Sequence, residues 1–227
     1  MLQQSKKVSL DPRILYRGFG VNVACMAPTT AIQISVNKTL EEKFARNDVL
    51  STTLRAFAAG AISALASSPT ELIVLTQQNE GKNAYKTIRG LISQEGLAVL
   101  SRGFVAKSLR DGGFGVGFLS MYPWLNNKIR NSVIDNEPLA LIGAGVIGGA
   151  GTAIATHPFD TISTRMQADY KQKNIKSFRQ AIKTIYITEG LPAFFKGVTP
   201  RGTRVALAIP LMHSVKQYLT TLTDTNS

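Results

Sequence analysis

Cysteine and histidine are almost absent from the sequence: its 227 residues include one cysteine, Cys25, and two histidines, His157 and His213. One thiol cannot form a disulfide framework, and this set cannot supply a cysteine-rich or histidine-based metal centre. His157 precedes a proline and His213 lies within the last apolar segment, so neither is placed as the base of a nucleophile. We therefore expect no enzymatic activity, no cofactor and no metal.

Charged residues are also scarce, at 18% of the sequence against about 25% in soluble domains, whereas apolar residues make up 44%. A disordered polyelectrolyte is excluded because such chains lack apolar surface to bury. The formal net charge is nevertheless +12. It indicates either a nucleic-acid-binding surface or loops that face an anionic membrane. Aromatic residues, at 7%, are too few to form a stacking surface for bases.

Charge is missing from long stretches of the chain. Residues 18–37, 112–127 and 138–159 carry none, residues 56–78 carry only Glu71, and residues 198–219 carry three cations. A membrane-spanning helix needs about 20 mostly apolar residues, so at least three runs qualify outright. Polar residues in the others are typical of helices that line a water-filled path. The sequence predicts five spanning helices, and the alternative is a soluble bundle with long buried helices.

The loops between these runs differ in charge. Residues 1–17, 79–103 and 169–197 hold 14 Lys or Arg against five acids, whereas the alternate loops hold six of each sign. Such asymmetry is a topology signal in membrane proteins. This asymmetry explains the positive net charge of the protein, so we expect no nucleic-acid partner.

Sequence elements recur at an interval of about 90 residues. A basic residue followed by glycine occurs at Arg17-Gly18, Arg102-Gly103 and Lys196-Gly197. A Glu-Gly pair precedes the last two copies by seven residues, at Glu95 and Glu189. Upstream of each pair is a proline with an acid two residues on, at Pro69 and Glu71 and at Pro158 and Asp160. Repetition at this period indicates a fold built from repeated units.

At these residues the chain resembles the mitochondrial carrier (solute carrier 25-type) family, over residues 13–220. The stretch 157–167, His-Pro-Phe-Asp-Thr-Ile-Ser-Thr-Arg-Met-Gln, is very close to the repeat motif of that family. The resemblance implies an all-α membrane fold, with three helix pairs around a central path that opens to each side in turn. It implies exchange of small metabolites across the mitochondrial inner membrane. The repeats would be residues 1–50, which form a partial unit, 51–137 and 138–227.

The sequence departs from the family pattern in two respects. The first Pro-x-acid element of the family would fall before Met1, so we expect the first helix to be absent and the bundle to be truncated or completed by another subunit. The family also places a basic residue three positions after the acid of each Pro-x-acid element, where this chain has Val74 and Ser163. A carrier-fold adaptor or structural protein that has lost transport is therefore the alternative function.

The family's central contact points fall on Cys25, Arg110 and Arg204, and the residues one turn earlier are Asn22, Lys107 and Arg201. With the adjacent Asp111, these residues predict a substrate site with four cations, which outnumber the nearby acids and therefore favour an anionic metabolite. The guanidinium fork of arginine suits a carboxylate or a phosphate. Arg110-Asp111 resembles the contact pair of carriers for amino acids, and a nucleotide is less favoured. The gate would lie at the kinks, at Pro69, Glu71, Pro158 and Asp160.

Anionic lipid is the second expected ligand. Each basic-glycine element lies where a helix begins, so free backbone N–H groups and the positive end of the helix dipole face outward. The residues concerned are Arg17, Gly18, Arg102, Gly103, Lys196 and Gly197, and the resemblance implies that the lipid is cardiolipin.

We predict that the basic loops face the mitochondrial matrix. With five spans the termini lie on opposite sides. An N-terminal tag is then protected from protease and a C-terminal tag is cleaved, in mitochondria with a broken outer and an intact inner membrane. Cleavage of both tags would require an additional span. Protection of both tags would mean that one of the five predicted spans does not cross the membrane. The run at 198–219, which contains three cations, is the first to test.

Overall fold

The computed structural model describes residues 19–44, 48–132, 137–172 and 174–206, and within them the chain is helical without any β-strand. The long helices are α1 (Phe19–Lys43), α2 (Val49–Glu80) and α6 (Glu137–Ala168), together with the continuous helical stretch made of α4 (Phe104–Val116) and α5 (Tyr122–Ser132). A π-helical turn, Gly117–Met121, joins α4 to α5 without a break. The short helices are α3 (Ala84–Glu95) and α7 (Phe178–Glu189), each followed by a 3₁₀ turn, Leu97–Ser101 and Leu191–Phe195. Residues 198–206 form a further helical segment, α8. The predicted all-α fold is confirmed.

The two longest helices, α2 and α6, each have 32 residues. At a rise of 1.5 Å per residue they are about 48 Å long, which exceeds the roughly 30 Å of a bilayer's hydrocarbon core. Pro69 and Pro158 lie inside them, and α1 contains Pro28. Each proline removes one backbone hydrogen bond, which makes the kinks predicted at Pro69 and Pro158 physically reasonable.

Composition alone identifies fewer membrane spans than the sequence analysis predicted. Within the described ranges, one helix, Val49–Glu80, is both long enough and apolar enough to cross a bilayer, with a mean hydropathy of 1.4 over its best window. This finding covers the described residues only, and the side chains of residues 22, 26 and 137–141 in the helices Phe19–Lys43 and Glu137–Ala168 lie outside them. Most of the run at 198–219 lies outside the described residues.

Local sequence signals explain where the helices begin and end. Asp48, Asn83 and Ser177 cap α2, α3 and α7 by accepting a hydrogen bond from the third backbone N–H beyond them. The two Glu-Gly elements adopt nearly the same backbone conformation, with φ and ψ of 77° and 177° at Gly96 and 76° and −178° at Gly190. A positive φ of this kind strongly favours glycine, which explains the recurrence of this residue.

Glycines allow α4 to pack closely against its neighbours. A Cβ atom on Gly60 of α2 would lie 2.1 Å from the carbonyl oxygen of Asp111, and one on Gly115 would lie 2.4 Å from that of Ala56. On the α6 side, a Cβ on Gly113 or Gly117 would lie 2.3 Å from Thr156 or Thr152 respectively. The glycines at 112–117 therefore form a close-packing surface of this helix.

The remaining packing follows from this arrangement. Helix α2 packs on α1 and α4, α4 packs on α6, and α3 and α7 cover the ends of the long helices. Leu91 of α3 and Ile185 of α7 point inward and are buried. Large apolar side chains such as Leu65 and Ile147 are exposed on the outer surface. Such residues are suited to contact with lipid.

We predict that Gly60→Ala destabilises the protein by about 1–3 kcal/mol, because the new methyl group would overlap a backbone carbonyl that cannot move independently. Gly90→Ala is the matched control: Gly90 lies on α3, and a Cβ there meets no atom within 4 Å. This substitution is expected to leave stability unchanged or slightly raised. The measurement is the melting temperature of each variant in detergent, and equal melting temperatures would contradict the packing described above.

Candidate functional site

A cluster of charged side chains lies where α2, α4, α6 and α8 approach one another. Helix α2 contributes Glu71, which follows Pro69 by two residues, and α6 contributes Asp160 at the same place after Pro158. Helix α4 contributes a basic pair one turn apart and the neighbouring Asp111, and α8 contributes one arginine. The cluster comprises Glu71, Lys107, Arg110, Asp111, Asp160 and Arg201.

Arg110 is at the centre of this cluster. Its Nη1 donates to Glu71 Oε1 at 2.8 Å and to Asp160 Oδ1 at 2.5 Å. Its Nε donates to Asp111 Oδ1 at 3.0 Å. One guanidinium therefore contacts acids from three helices, which the planar fork of arginine allows and a lysine ammonium could not reproduce with fixed geometry.

Lys107 and Ser67 complete the contacts of the acids on the α2 side. Lys107 Nζ lies 2.8 Å from Glu71 Oε2 and 3.6 Å from Asp111 Oδ1, and its side chain is 4% exposed. Ser67 Oγ donates to Asp111 Oδ2 at 2.5 Å. Both oxygens of Asp111 are therefore occupied by groups of the protein, so Asp111 orients the two basic side chains of its own helix.

Arg201 forms the α8 side of the cluster. Its Nη2 donates to Thr156 Oγ1 at 2.8 Å, and its Nε lies 3.8 Å from Asp160 Oδ2. The side chain is 9% exposed, and Nη1 is buried without a hydrogen-bond partner among the described residues. A buried guanidinium N–H without an acceptor is costly, so this donor is suited to an acceptor beyond the part of the chain that the structure describes, such as a ligand.

The charge balance differs from the sequence-based expectation. Three cations, Lys107, Arg110 and Arg201, are paired with three acids, Glu71, Asp111 and Asp160, so the cluster is formally neutral. The prediction that cations would outnumber acids holds only if Arg204 is included. Pairing reduces the cost of charges at this depth, because each ion gains a partner in a region of low dielectric constant.

The remaining candidate residues of the substrate site make fewer contacts with the charged cluster. Cys25 is partly buried on α1, where its carbonyl oxygen accepts a hydrogen bond from Thr29. Arg204 is exposed on α8, one turn from Arg201. Within the described ranges, no hydrogen bond or ion pair joins Cys25 or Arg204 to the cluster. The side chain of Asn22 lies outside the described part of the structure. The assignment of these three to the site stays a prediction.

Two hydroxyl residues of the site, Ser67 and Thr156, were not singled out from the sequence. Each lies four residues before a kink acid and two before the proline, so the pattern hydroxyl-x-Pro-x-acid occurs in both repeats. A separation of four residues puts the hydroxyl and the acid on the same helix face. Comparison of the two copies could therefore have identified them.

The lipid motif at Arg102 differs from the expectation. The Arg102 side chain turns inward and donates to the carbonyl oxygens of Met166, Asp169, Ile175 and Lys176, so it joins α4 to the end of α6 and the loop beyond. The guanidinium is therefore not free for a lipid headgroup, and burial lowers its pKa. Gly103 has a φ of 76° and begins α4, as expected. It lines a cavity of about 450 Å³ together with Phe104, Met166 and Phe178.

The corresponding motif at Lys196 has a different arrangement. Lys196 Nζ lies 3.0 Å from Glu189 Oε2, and the two terminal nitrogens of Arg165 donate to Glu189 at 2.6 and 3.0 Å. These hydrogen bonds lower the pKa of Glu189 to about 2. The basic residue here remains largely exposed, and Gly197 has a φ of 92°. Arg17 and Gly18 lie outside the described residues.

Comparison with known proteins identifies the family. The sequence profile of the family described as "Mitochondrial carrier protein" matches residues 45–133 and 135–226. S-adenosylmethionine carrier 1, chloroplastic/mitochondrial, of Arabidopsis thaliana is 32% identical over 82% of this chain and 60% of its own length. The mitochondrial aspartate-glutamate transporter of Saccharomyces cerevisiae is 29% identical over 86% of this chain and 24% of its own length. A mitochondrial adenyl nucleotide antiporter of Oryctolagus cuniculus is 26% identical over 89% and 46%.

The chain thus spans about 60% of the S-adenosylmethionine carrier and smaller shares of the other two relatives. The family match includes both Pro-x-acid elements, both Glu-Gly elements and the basic-glycine elements at 102 and 196. It covers the helices that form the charged cluster. The chain therefore belongs to the mitochondrial carrier family, as its repeat motifs predicted, and this makes it a multi-pass protein of the mitochondrial inner membrane and not an enzyme.

Proposed function

We propose that the chain transports a small metabolite that carries a carboxylate group, by alternating access across the mitochondrial inner membrane. One observation carries this proposal: the Nη1 donor of Arg201 is buried without a partner among the described residues, while Arg201 and Arg110 both contact Asp160. Two guanidinium groups thus converge on one carboxylate of the protein. A substrate carboxylate has the same charge and geometry, so it can bind where Asp160 now binds and also accept from the unpartnered N–H.

Within this class, a metabolite with both a carboxylate and an amino group fits best. Two acids of the cluster are less buried than its cations, since the side chains of Glu71 and Asp160 are 28% and 22% exposed. Their oxygens could therefore accept from a substrate ammonium while the arginines hold its carboxylate. Aspartate, glutamate and S-adenosylmethionine, named in two of the relatives, contain both groups. The nucleotide of the third relative lacks this combination, so the neutral cluster supports it less well.

A second candidate function is that of a carrier-fold adaptor without transport. The complete pairing of Glu71, Asp111 and Asp160 favours it, because a set of ion pairs that is satisfied internally could serve stability alone. In that case the charged cluster would be a structural element that joins α2, α4 and α6. Transport measurements on the reconstituted protein separate the two candidates.

We predict that Arg110→Ala lowers exchange of radiolabelled glutamate, aspartate or S-adenosylmethionine in proteoliposomes by about 100-fold, because two charge-assisted hydrogen bonds to the substrate are lost. Lys107→Ala is expected to have a smaller effect, of about tenfold, since an ammonium acts as a point charge without a fork. The amount of inserted protein is measured for each variant, and exchange is compared per inserted molecule.

The control is Arg89→Ala, which removes the same charge from an exposed position on α3. It is expected to exchange at the wild-type rate. Retained exchange in Arg110→Ala would remove Arg110 from the substrate site. Absence of saturable flux in the wild type for every labelled carboxylate and nucleotide tested, with correctly inserted protein, would favour the adaptor function.

We infer that the second ligand is cardiolipin, at the starts of α4 and α8. The cavity beside Gly103 is lined mainly by apolar side chains, which suits acyl chains. The backbone N–H groups at the start of α4 and α8 suit a phosphate. At the α8 site, Lys196 can add a positive charge, whereas Arg102 is committed to carbonyl oxygens.

Added cardiolipin is predicted to raise the melting temperature of the detergent-purified protein, because a ligand that binds only the folded state stabilises it. Phosphatidylcholine at the same concentration is the control, since it has acyl chains but no net negative charge. Equal effects of the two lipids would mean that the sites do not select for an anionic headgroup, and the lipid proposal would fail.

A further inference from the structure

The three cations of the charged cluster are neutralised to different extents. Arg110 hydrogen-bonds to three acids, and Lys107 pairs with two. Arg201 pairs with a single acid among the described residues, since its Nε lies 3.8 Å from Asp160 Oδ2. That separation is longer than a hydrogen bond, and the other oxygen of Asp160 already accepts from Arg110. Arg201 is therefore the cation of the cluster with the least compensated charge.

A neutral hydroxyl group, and not a second acid, holds the Arg201 side chain. Arg201 Nη2 donates a hydrogen bond to Thr156 Oγ1 at 2.8 Å. The same hydroxyl donates to the carbonyl oxygen of Thr152, one helical turn earlier on α6, at 2.8 Å. A hydroxyl group has one hydrogen and Thr152 receives it, so Thr156 can only accept from Arg201. Thr156 thus fixes the position of the guanidinium group without neutralising its charge.

The methyl group of Thr156 fixes the rotamer of this side chain. Its Cγ2 lies against Gly113 of α4, where a Cβ atom would be 2.3 Å away. Thr156 is buried, and its hydroxyl is bound to its own helix. Because both branches of this β-branched side chain are in contact, χ1 is held and the acceptor keeps facing Arg201. The methyl group and the hydroxyl group therefore have separate tasks, packing and positioning, which different substitutions can remove one at a time.

We propose that Thr156 is a positioning residue that keeps the guanidinium group of Arg201 apart from Asp160 and so available to the carboxylate of the substrate. This inference rests on the transport function proposed above, and it names Arg201 as the side chain that receives the substrate carboxylate. Nη1 of Arg201 is buried without an acceptor in the part of the chain that the structure describes, and Nη2 has a second hydrogen beyond the one given to Thr156. These two nitrogens form an edge that can bind a carboxylate with two hydrogen bonds.

Removal of the hydroxyl group would bring Arg201 and Asp160 together. Nη2 would lose its acceptor in a buried position, and Asp160 is the acid nearest to this guanidinium group. A shift of about 1 Å would turn the present separation of 3.8 Å into a charge-assisted hydrogen bond. The substrate would then have to displace Asp160 before it could bind. Such a cost lowers the affinity for the substrate without slowing the steps that follow binding, so it raises KM and leaves the maximal rate nearly unchanged.

Two substitutions at this position separate positioning from packing. Thr156→Val keeps a methyl group against Gly113 and removes the acceptor, whereas Thr156→Ser keeps the acceptor and removes the methyl group. The measurement is the KM and the maximal rate of exchange of radiolabelled glutamate, aspartate and S-adenosylmethionine in proteoliposomes that contain the full chain. We expect Thr156→Val to raise KM about tenfold at a nearly unchanged maximal rate, because one hydrogen bond is lost at the site. Thr156→Ser is expected to keep the wild-type KM.

The control is Thr203→Val, which removes a hydroxyl group from the exposed surface of α8. Thr203 Oγ1 donates only to the carbonyl oxygen of Thr199 on the same helix, so both kinetic constants should stay at their wild-type values. An unchanged KM in Thr156→Val would overturn the inference. An equal rise of KM in Thr156→Val and Thr156→Ser would do so as well, because it would mean that packing against Gly113 is what matters.

A second measurement tests the contact between Thr156 and Arg201 without transport. The melting temperature in detergent is compared for Thr156→Val, Arg201→Gln and the double variant. The shift in the double variant should be smaller than the sum of the two single shifts, because either change breaks the same hydrogen bond. Additive shifts would mean that the two side chains do not interact, and the inference would fall whatever the transport result.

Failure of the proposed transport function gives a different result. In that case the wild-type protein shows no saturable exchange of any of the three labelled compounds, and the positioning role falls with transport even where the melting temperatures are non-additive. If the wild type exchanges one of them and Thr156→Val has the same KM, the transport function stands and only the role of Thr156 is lost. A lower maximal rate at an unchanged KM in Thr156→Val would also assign this residue to structure alone.

Discussion

The arrangement of this bundle depends on the shared ion pairs of Arg110. Charges at this depth are tolerated because three cations and three acids neutralise one another, and the guanidinium of Arg110 connects three of the four helices involved. The glycines of α4 allow this, since close contact with α2 and α6 puts the acids within reach of a single side chain. Helix packing and charge pairing therefore depend on each other. Larger side chains on α4 would move α2 and α6 apart and so separate the acids that Arg110 contacts.

Much of the fold could be predicted from the sequence because its signals are local. The capping residues, the Glu-Gly elements and the glycine-rich surface of α4 depend on neighbours within a few positions, and the structure follows them. The membership of the family rests on the same repeated motifs. The number of membrane spans stays a prediction, because parts of the uncharged runs at 18–37, 138–159 and 198–219 lie outside the described residues.

The partners of the charged residues were harder to predict. Spacing along the chain identified three cations beside a common path and three acids available to pair with them, but it did not indicate the individual ion pairs. Which acid meets which cation depends on the rotation of four helices about their axes. Ser67 and Thr156 were missed for a different reason: only alignment of the two Pro-x-acid elements reveals their common position.

The position of Arg102 has a consequence for the symmetry of the molecule. In the later repeat, Arg165, Glu189 and Lys196 tie a long helix to its own surface helix. In the earlier repeat, Thr76 stands where Arg165 would be, and Arg102 reaches instead into the loop of the following repeat. In the later repeat these contacts therefore stay within the repeat, whereas in the earlier repeat the contacts of Arg102 reach the following repeat. Rotations that would be equivalent in a three-fold symmetric bundle meet different contacts here, because the hydrogen bonds of Arg102 join the start of α4 to the end of α6 and to the loop beyond it.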